Sequence, residues 1–284
     1  TGHYGEIFKE RDSAIITQRA MAINIIDQDS LFIHADTLVA TGPKEKRILR
    51  AYYDVRILKS DIRGRSDSLF LDESIGLIKL LRKPLTKEQE QVFTEQDFTK
   101  NNPVMWFDKS QMTGDEIQLL SNTQTRKLDS LKIDGKVFII EKDTLSDNGY
   151  QQIKGGLLRG AFKESKLDNI VITKNTEMVY YLYNDEDFQL IGIDKTTCSE
   201  LKMSFWDGQI DNITFLVSPN GNVYPEDELP ENDRTLKGFI WRISERPQTI
   251  EDLFDENDKE EQFPEILKFQ YPEKEASFRL IPEK

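Results

Sequence analysis

The sequence predicts an all-β chain: a stacked antiparallel two-sheet repeat, of the open twisted jelly-roll or β-solenoid-like kind. Three observations predict it. Short runs rich in Val, Ile, Phe, Tyr and Thr recur and are broken by Gly, Asn, Asp and Lys. Helical signals are few. One five-residue phrase returns five times along the chain.

The strand runs include Leu31-Phe32-Ile33, Ala51 to Ile57, Lys136 to Ile140, Glu177 to Leu182 and Gly238 to Ile243. Two segments break the pattern. Thr86 to Phe98 is polar and reads as a short helix or a loose insertion. Thr249 to Phe254 starts with a capping pattern, Thr249 followed three residues later by Asp252, and reads as one short helix.

The recurring phrase is Asp, then Ser or Asn, then apolar, any residue, apolar. It begins at Asp29, Asp67, Asp129, Asp168 and Asp211, with spacings of 38, 62, 39 and 43 residues. The long gap holds the polar insertion and a related segment, Gly114 to Leu119. Asp followed by Ser or Asn is turn chemistry, because these side chains bond back to nearby backbone. Positions two apart in a strand share a face. Each copy is therefore expected to turn a corner and then send two apolar side chains inward. The inward candidates are Leu31, Ile33, Leu69, Leu71, Ile117, Leu119, Leu131, Ile133, Ile170, Ile172, Ile213 and Phe215. They serve either as a closed core or, if the sheets splay, as an apolar lining. Asp36, Asp67 and Asp115 read as corner formers rather than catalytic acids. An ordinary sandwich or barrel of the same strands is the alternative fold.

Composition narrows the function. The net charge is −13 and the pI about 4.8, which argues against nucleic acid as a partner. Basic residues nevertheless crowd the stretch from Lys44 to Lys83, where Arg47, Arg50, Arg63 and Arg65 are candidates for contacts with phosphates or sugar acids. A solvated strand face explains the same residues. Cys198 is the one cysteine and His3 and His34 are the two histidines. Neither a disulfide nor a Cys-based zinc site is expected, no metal or other cofactor is implied, and no catalytic residue stands out. Motifs of the nucleophile-elbow, phosphate-loop and H-E-x-x-H types are missing from the sequence. Trp106, Trp206 and Trp241 are expected as core anchors, with the rim of the groove as the alternative position.

Several phrases in order resemble one family. They are Phe32 to Leu38, Arg50 to Ile57, Ser60 to Leu69, Pro103 to Ile117, and later Gln152 to Gly155 and Gly192 to Lys195. Together, over roughly residues 6–245, they resemble the OstA-like family, the lipopolysaccharide-transport proteins of the LptA type and the N-terminal domain of their partner LptD. The resemblance implies two antiparallel sheets facing each other as a V and holding acyl chains of lipopolysaccharide or a related lipid. It implies stacking through edge strands, on other OstA-like or Lpt envelope proteins or as a homo-oligomer, and a periplasmic or outer-membrane-associated location. A targeting segment or upstream repeats are expected to precede Thr1. The expected organisation is a β-repeat domain over 1–248 with a polar insertion at 84–102, then a short helix and an acidic, Pro-containing tail over 249–284. The resulting expectation is a non-enzymatic lipid-transport or assembly module. A structural module pairing through sheet edges and a parallel β-helix acting on glycans are the rivals.

Overall fold

The computed structural model describes residues 1–43, 46–184, 186–206, 209–254 and 278–279. Side chains at 209, 278 and 279 lie outside the description, as does almost all of the expected acidic tail. Strands make up more than half of the described chain, which also holds two short α-helices and several 3-10 turns. It divides into two compact units, Thr1–Lys83 with Gln118–Asp129 and Ser244 onward, and Pro84–Ile117 with Ser130–Ile243.

The first unit contains β1 (Tyr4–Phe8), β2 (Ser13–Thr17), β3 (Met21–Ile26), β4 (Asp29–His34), β5 (Thr37–Thr41), β6 (Ile48–Leu58), β7 (Ile62–Asp72) and β8 (Leu77–Leu81). The long strands β6 and β7 bend in the middle. Tyr52 pairs with Ser68 and Val55 with Ser66, so Tyr53 and Asp54 together face Asp67. Both Tyr53 and Asp54 have left-handed backbone, with φ of 64° and 46°. Two residues against one is a bulge, which bends a strand and increases its twist. On one side of the bend run β1, β2, β5, β6, β7 and β8; on the other run β3, β4, β6 and β7. The two arms touch: a Cβ added to Gly64 on one would lie 3.3 Å from Leu80 Cδ1 on the other.

The second unit repeats this plan with longer strands. After α1 (Lys87–Val92), α2 (Glu95–Asn101), β9 (Val104–Phe107) and β10 (Ser110–Thr113) come β11 (Glu116–Ser121), in which the chain crosses to the first unit, and β12 (Leu128–Lys142), in which it returns. β13 (Tyr150–Lys163), β14 (Lys166–Tyr183) and β15 (Leu190–Trp206) form a meander. β16 (Gln209–Leu216) and β17 (Asn220–Tyr224) then pair with successive halves of β15. Bends fall at Gly135-Lys136, Lys174-Asn175 and Val217-Ser218, all left-handed pairs. Asp115 closes the first of these, its amide donating to the carbonyls of Asp134 and Gly135 at 2.9 Å.

Every strand register resolved among the described residues is antiparallel. That corrects the parallel β-helix alternative. The role assigned to the Asp phrase is also corrected in detail. It does not separate one strand from the next. Asp168 and Asp211 each form the extra residue of a bulge inside a pairing: Ala161–Asn169 is followed by Phe162–Leu167, and Ser204–Asn212 by Phe205–Ile210. Asp67 faces the bend within β7, and Asp129 is the second residue of β12. Of the five copies, Asp29 alone opens a strand, after the left-handed pair Asp27-Gln28. Backbone capping by the phrase is seen at Asp29, which accepts from the amides of Ser30 (2.7 Å) and Ser60 (3.1 Å), while Asp168 and Asp211 mark register shifts.

The insertion is ordered into α1 and α2, each opened by a capping box, Thr86 with Gln89 and Thr94 with Asp97. It is fixed by the segment after β17. Arg242 Nη1 donates to the carbonyls of Thr99 (3.1 Å) and Asn102 (2.9 Å), and Gln111 bonds both Ile240 O (2.8 Å) and Arg242 N (2.6 Å). The helix expected at Thr249–Phe254 is a single 3-10 turn over Glu251–Leu253. The capping residue is there, but its amide and that of Gln248 donate to Asp252, which holds a turn instead of starting a helix.

Candidate functional site: an aliphatic interior and its edge

The phrase residues of the second unit fall on two rungs. One runs Leu131–Gly160–Ile170–Met203–Ile213 across β12 to β16, and the next runs Ile133–Leu158–Ile172–Leu201–Phe215. A repeat of about forty residues is thus one long hairpin, so equivalent residues return on alternate strands and on one face. In the first unit Leu69 and Leu71 occupy matching rungs, Ile16–Leu38–Ala51–Leu69–Leu80 and Ala14–Ala40–Leu49–Leu71–Ile78. Leu31 and Ile33 differ, because Ile33 lies on the other arm, in the rung Ala22–Ile33–Ile57–Gly64.

Ten of the twelve inward candidates are buried to 3% exposure or less: Leu31, Ile33, Leu69, Leu71, Ile117, Leu119, Leu131, Ile133, Ile170 and Ile172. The interior is filled by protein at these positions. The remaining two, Ile213 and Phe215, are half-buried, because β16 is a terminal strand paired among the described residues with β15 alone. Around this end Trp206 is 79% exposed, Val217 62% and Val223 50%. Trp206 is therefore not the core anchor that was expected, whereas Trp106 is fully buried and Trp241 is packed against Tyr150. In the first unit β1, paired among the described residues with β2 alone, has all five residues exposed, Tyr4 and Ile7 among them.

Sequence reasoning missed the alternate members of each rung, Leu158, Leu201 and Met203, which carry no Asp phrase but do sit at alternating positions. It also missed most of the outer coat. Leu229, Leu236, Phe239 and Trp241 cover Phe138, Ile140, Val179, Tyr181 and Ile193 on the outer face of the second unit. Leu253 and Phe254 do the same for Leu58, Met21 and Phe32 in the first, where Phe254 meets the ring of His34 at 4.8 Å. Phe239 and Trp241 lie in the run Gly238 to Ile243 that was expected as a strand; it is irregular chain here, and Trp241 is packed as an anchor within it, whereas Leu229, Leu236, Leu253 and Phe254 carry no periodic signal.

The four arginines do not converge. Arg50 lies over the ring of Phe70 at 5.4 Å and donates to Thr41. Arg63 donates to the carbonyls of Lys59 and Ser60. Burial, then the charge of Arg246, lowers its pKa against the pull of Asp61 and Asp29. Arg65 is bound by Asp54 (2.7 Å) and Glu245 (3.5 Å). Burial works to raise the Asp54 carboxyl, but the Arg65 hydrogen bond and the Arg56 and Arg65 charges outweigh it and leave it below its ordinary value. Arg47 acts on Glu73, whose pKa burial raises while Arg47 and Arg126 oppose. Arg50 and Arg65 are also on opposite sides of the bend in the β6–β7 hairpin.

Among the described residues no cluster of three or more His, Cys, Asp or Glu could hold a metal, and no helix is long and apolar enough to cross a membrane. No family model and no curated protein matches the sequence. A solved structure similar to the chain is LptH of Pseudomonas aeruginosa, described as the LptA-homologous periplasmic component of the lipopolysaccharide transport device. It has 11% identity over 58% of this chain and 95% of that one, with a TM-score of 0.38.

Proposed function

We propose that the chain is a non-enzymatic module of the cell envelope, periplasmic or outer-membrane-associated, that takes lipopolysaccharide acyl chains into its aliphatic interior. Further OstA-like modules, or copies of itself, would meet it at its edge strands. The observation that carries this reading is the pair of apolar rungs that cross five strands and surface, half-buried, at Ile213 and Phe215 on β16, which is paired among the described residues with β15 alone. An apolar interior that reaches the solvent at a strand edge can be extended by another strand or by a lipid chain. Each CH₂ moved from water contributes about 0.8 kcal/mol, so a long chain repays some separation of the sheets. The closed packing at the ten deeper positions supports entry at the edge rather than through the middle of the sheets. Arg50, Arg63 and Arg65 are engaged within the chain, so any meeting with lipid phosphates would require them to leave those partners.

The test is displacement of a fluorescent acyl-chain probe from the purified chain by lipopolysaccharide. Phe215→Asp should weaken probe uptake about tenfold with the fold intact, since it burdens a half-buried site with a charge. Absence of uptake by the wild type, or uptake unchanged in Phe215→Asp, refutes lipid holding. A purely structural edge-pairing module is the second reading, favoured by the exposed apolar residues on β1 and around β16. Association with another β-repeat module without any uptake of lipid would select it.

A further inference from the structure

We propose that the cleft at the loop end of the second unit is a saccharide-binding site that takes a short neutral glycan. Its volume is about 600 Å³, within the roughly 300–1,000 Å³ usual for small-molecule sites. Residues 145–148 after β12, Phe188 before β15 and the turns after β17 line it.

Its walls suit a polyhydroxylated ring. Tyr183 and Phe188 contribute aromatic surface beside the partly buried Tyr150, and Phe188 is 65% exposed. Phe188 also has left-handed backbone, φ 55°, which a bulky residue adopts rarely and at some strain. The loop holds it there: its amide donates to Asn184 O (3.0 Å), and Asn184 N donates to Gln189 O (2.9 Å). An aromatic side chain kept strained and uncovered at a cleft rim is placed for contact with a ligand rather than for the core.

The polar groups point to neutral hydroxyls. Asp147, Asn148 and Glu231 line the cleft and can accept from them. Arg234 is the cation of the lining, and its nitrogens are engaged. Nε donates to Leu229 O (2.8 Å), Nη1 to Glu226 Oε1 (2.8 Å) and Nη2 to Glu226 O (2.5 Å). It braces the wall, and the acidic excess disfavours phosphate. The Tyr183 hydroxyl donates to Asp143. Burial first, and then that bond, holds its pKa far above the ordinary value, so this hydroxyl stays a neutral hydrogen-bonding group.

The experiment is calorimetric titration of the full chain with maltotriose and with triacetylchitotriose. At least one should bind saturably. Phe188→Ala and Asp147→Asn, both at exposed positions, should each weaken it about tenfold, the loss of one good contact. Neither should alter uptake of the acyl-chain probe, so this site and the interior fail separately. No saturable binding of either sugar, or binding indifferent to both substitutions, overturns the proposal. So does preferential binding of trilysine, which would make the cleft a cationic-peptide site. Binding of submicellar dodecyl maltoside without maltotriose would assign the affinity to the alkyl chain and also overturn it.

Discussion

The two units make the same bend by different means. In the first, charge holds it. Asp54, the second of two left-handed residues, receives Arg56 and Arg65, while Arg65 also meets Glu245 and Arg56 donates to Leu253 O at 3.2 Å. In the second, the bend is held by missing side chains. A Cβ on Gly155 would stand 2.4 Å from Ile172 Cγ2, and one on Gly114 would stand 2.2 Å from Ile133 Cγ2. An ion cluster at the surface can lose a member and rearrange. Backbone packed onto a buried side chain has nowhere to go.

This difference sets the largest expected effect. Gly155→Ala should destabilise the chain by about 2–3 kcal/mol, because Ile172 is fully buried and sits on a continuous rung. Denaturant unfolding measures it. Adding Ile172→Val removes one methyl near the clash and should recover part of the loss. If Gly155→Ala is neutral, the close approach is not what shapes the second bend.

Asp54→Asn should cost less, about 1 kcal/mol, because the carboxylate is a third exposed and solvent screens it. Its folded pKa lies below its unfolded value of 3.8, so its contribution is full above that value and is lost as pH falls through the folded pKa. The gap between wild type and Asp54→Asn should therefore be constant near neutrality and close below about pH 4. A gap that persists in acid would show that the hydrogen-bond geometry, rather than the charge, holds the first bend.

How much of this could be read from the sequence depended on whether a residue's role is periodic. The rungs were legible because Leu131, Ile170 and Ile213, like Ile133, Ile172 and Phe215, repeat at the hairpin period and alternate along a strand. The all-β antiparallel plan followed from the same alternation. The bends were half legible: Asp67 and Asp115 were recognised as corners, but their left-handed partners Tyr53-Asp54 and Gly135-Lys136 were not, since Tyr and Lys give no turn signal. The saccharide cleft was invisible. Its walls come from three separated loops, and Phe188 owes its position to an Asn184 turn, not to any pattern in composition. The outer coat was only partly readable: Trp241 stood out as an anchor, but Leu229 and Leu236 are single apolar residues in polar, Pro-containing chain.

The smallest effect concerns the left-handed pairs themselves. An L-residue held there costs roughly 1–2 kcal/mol, while Gly forfeits about 0.5–1 kcal/mol in chain entropy, so replacement should yield a gain below about 1 kcal/mol. Lys174, exposed at φ 70°, tests the second bend, and Tyr53, 60% exposed at φ 64°, tests the first. Lys174→Gly should raise the thermal midpoint slightly. Tyr53→Gly should gain less, because it also gives up the contact with Tyr52, whose ring lies 6.5 Å away, and loosens the residue that precedes Asp54. The comparison breaks if Tyr53→Gly stabilises more than Lys174→Gly. The charged bend would then be carrying the greater backbone strain, and the Asp54 cluster would be the device that compensates for it.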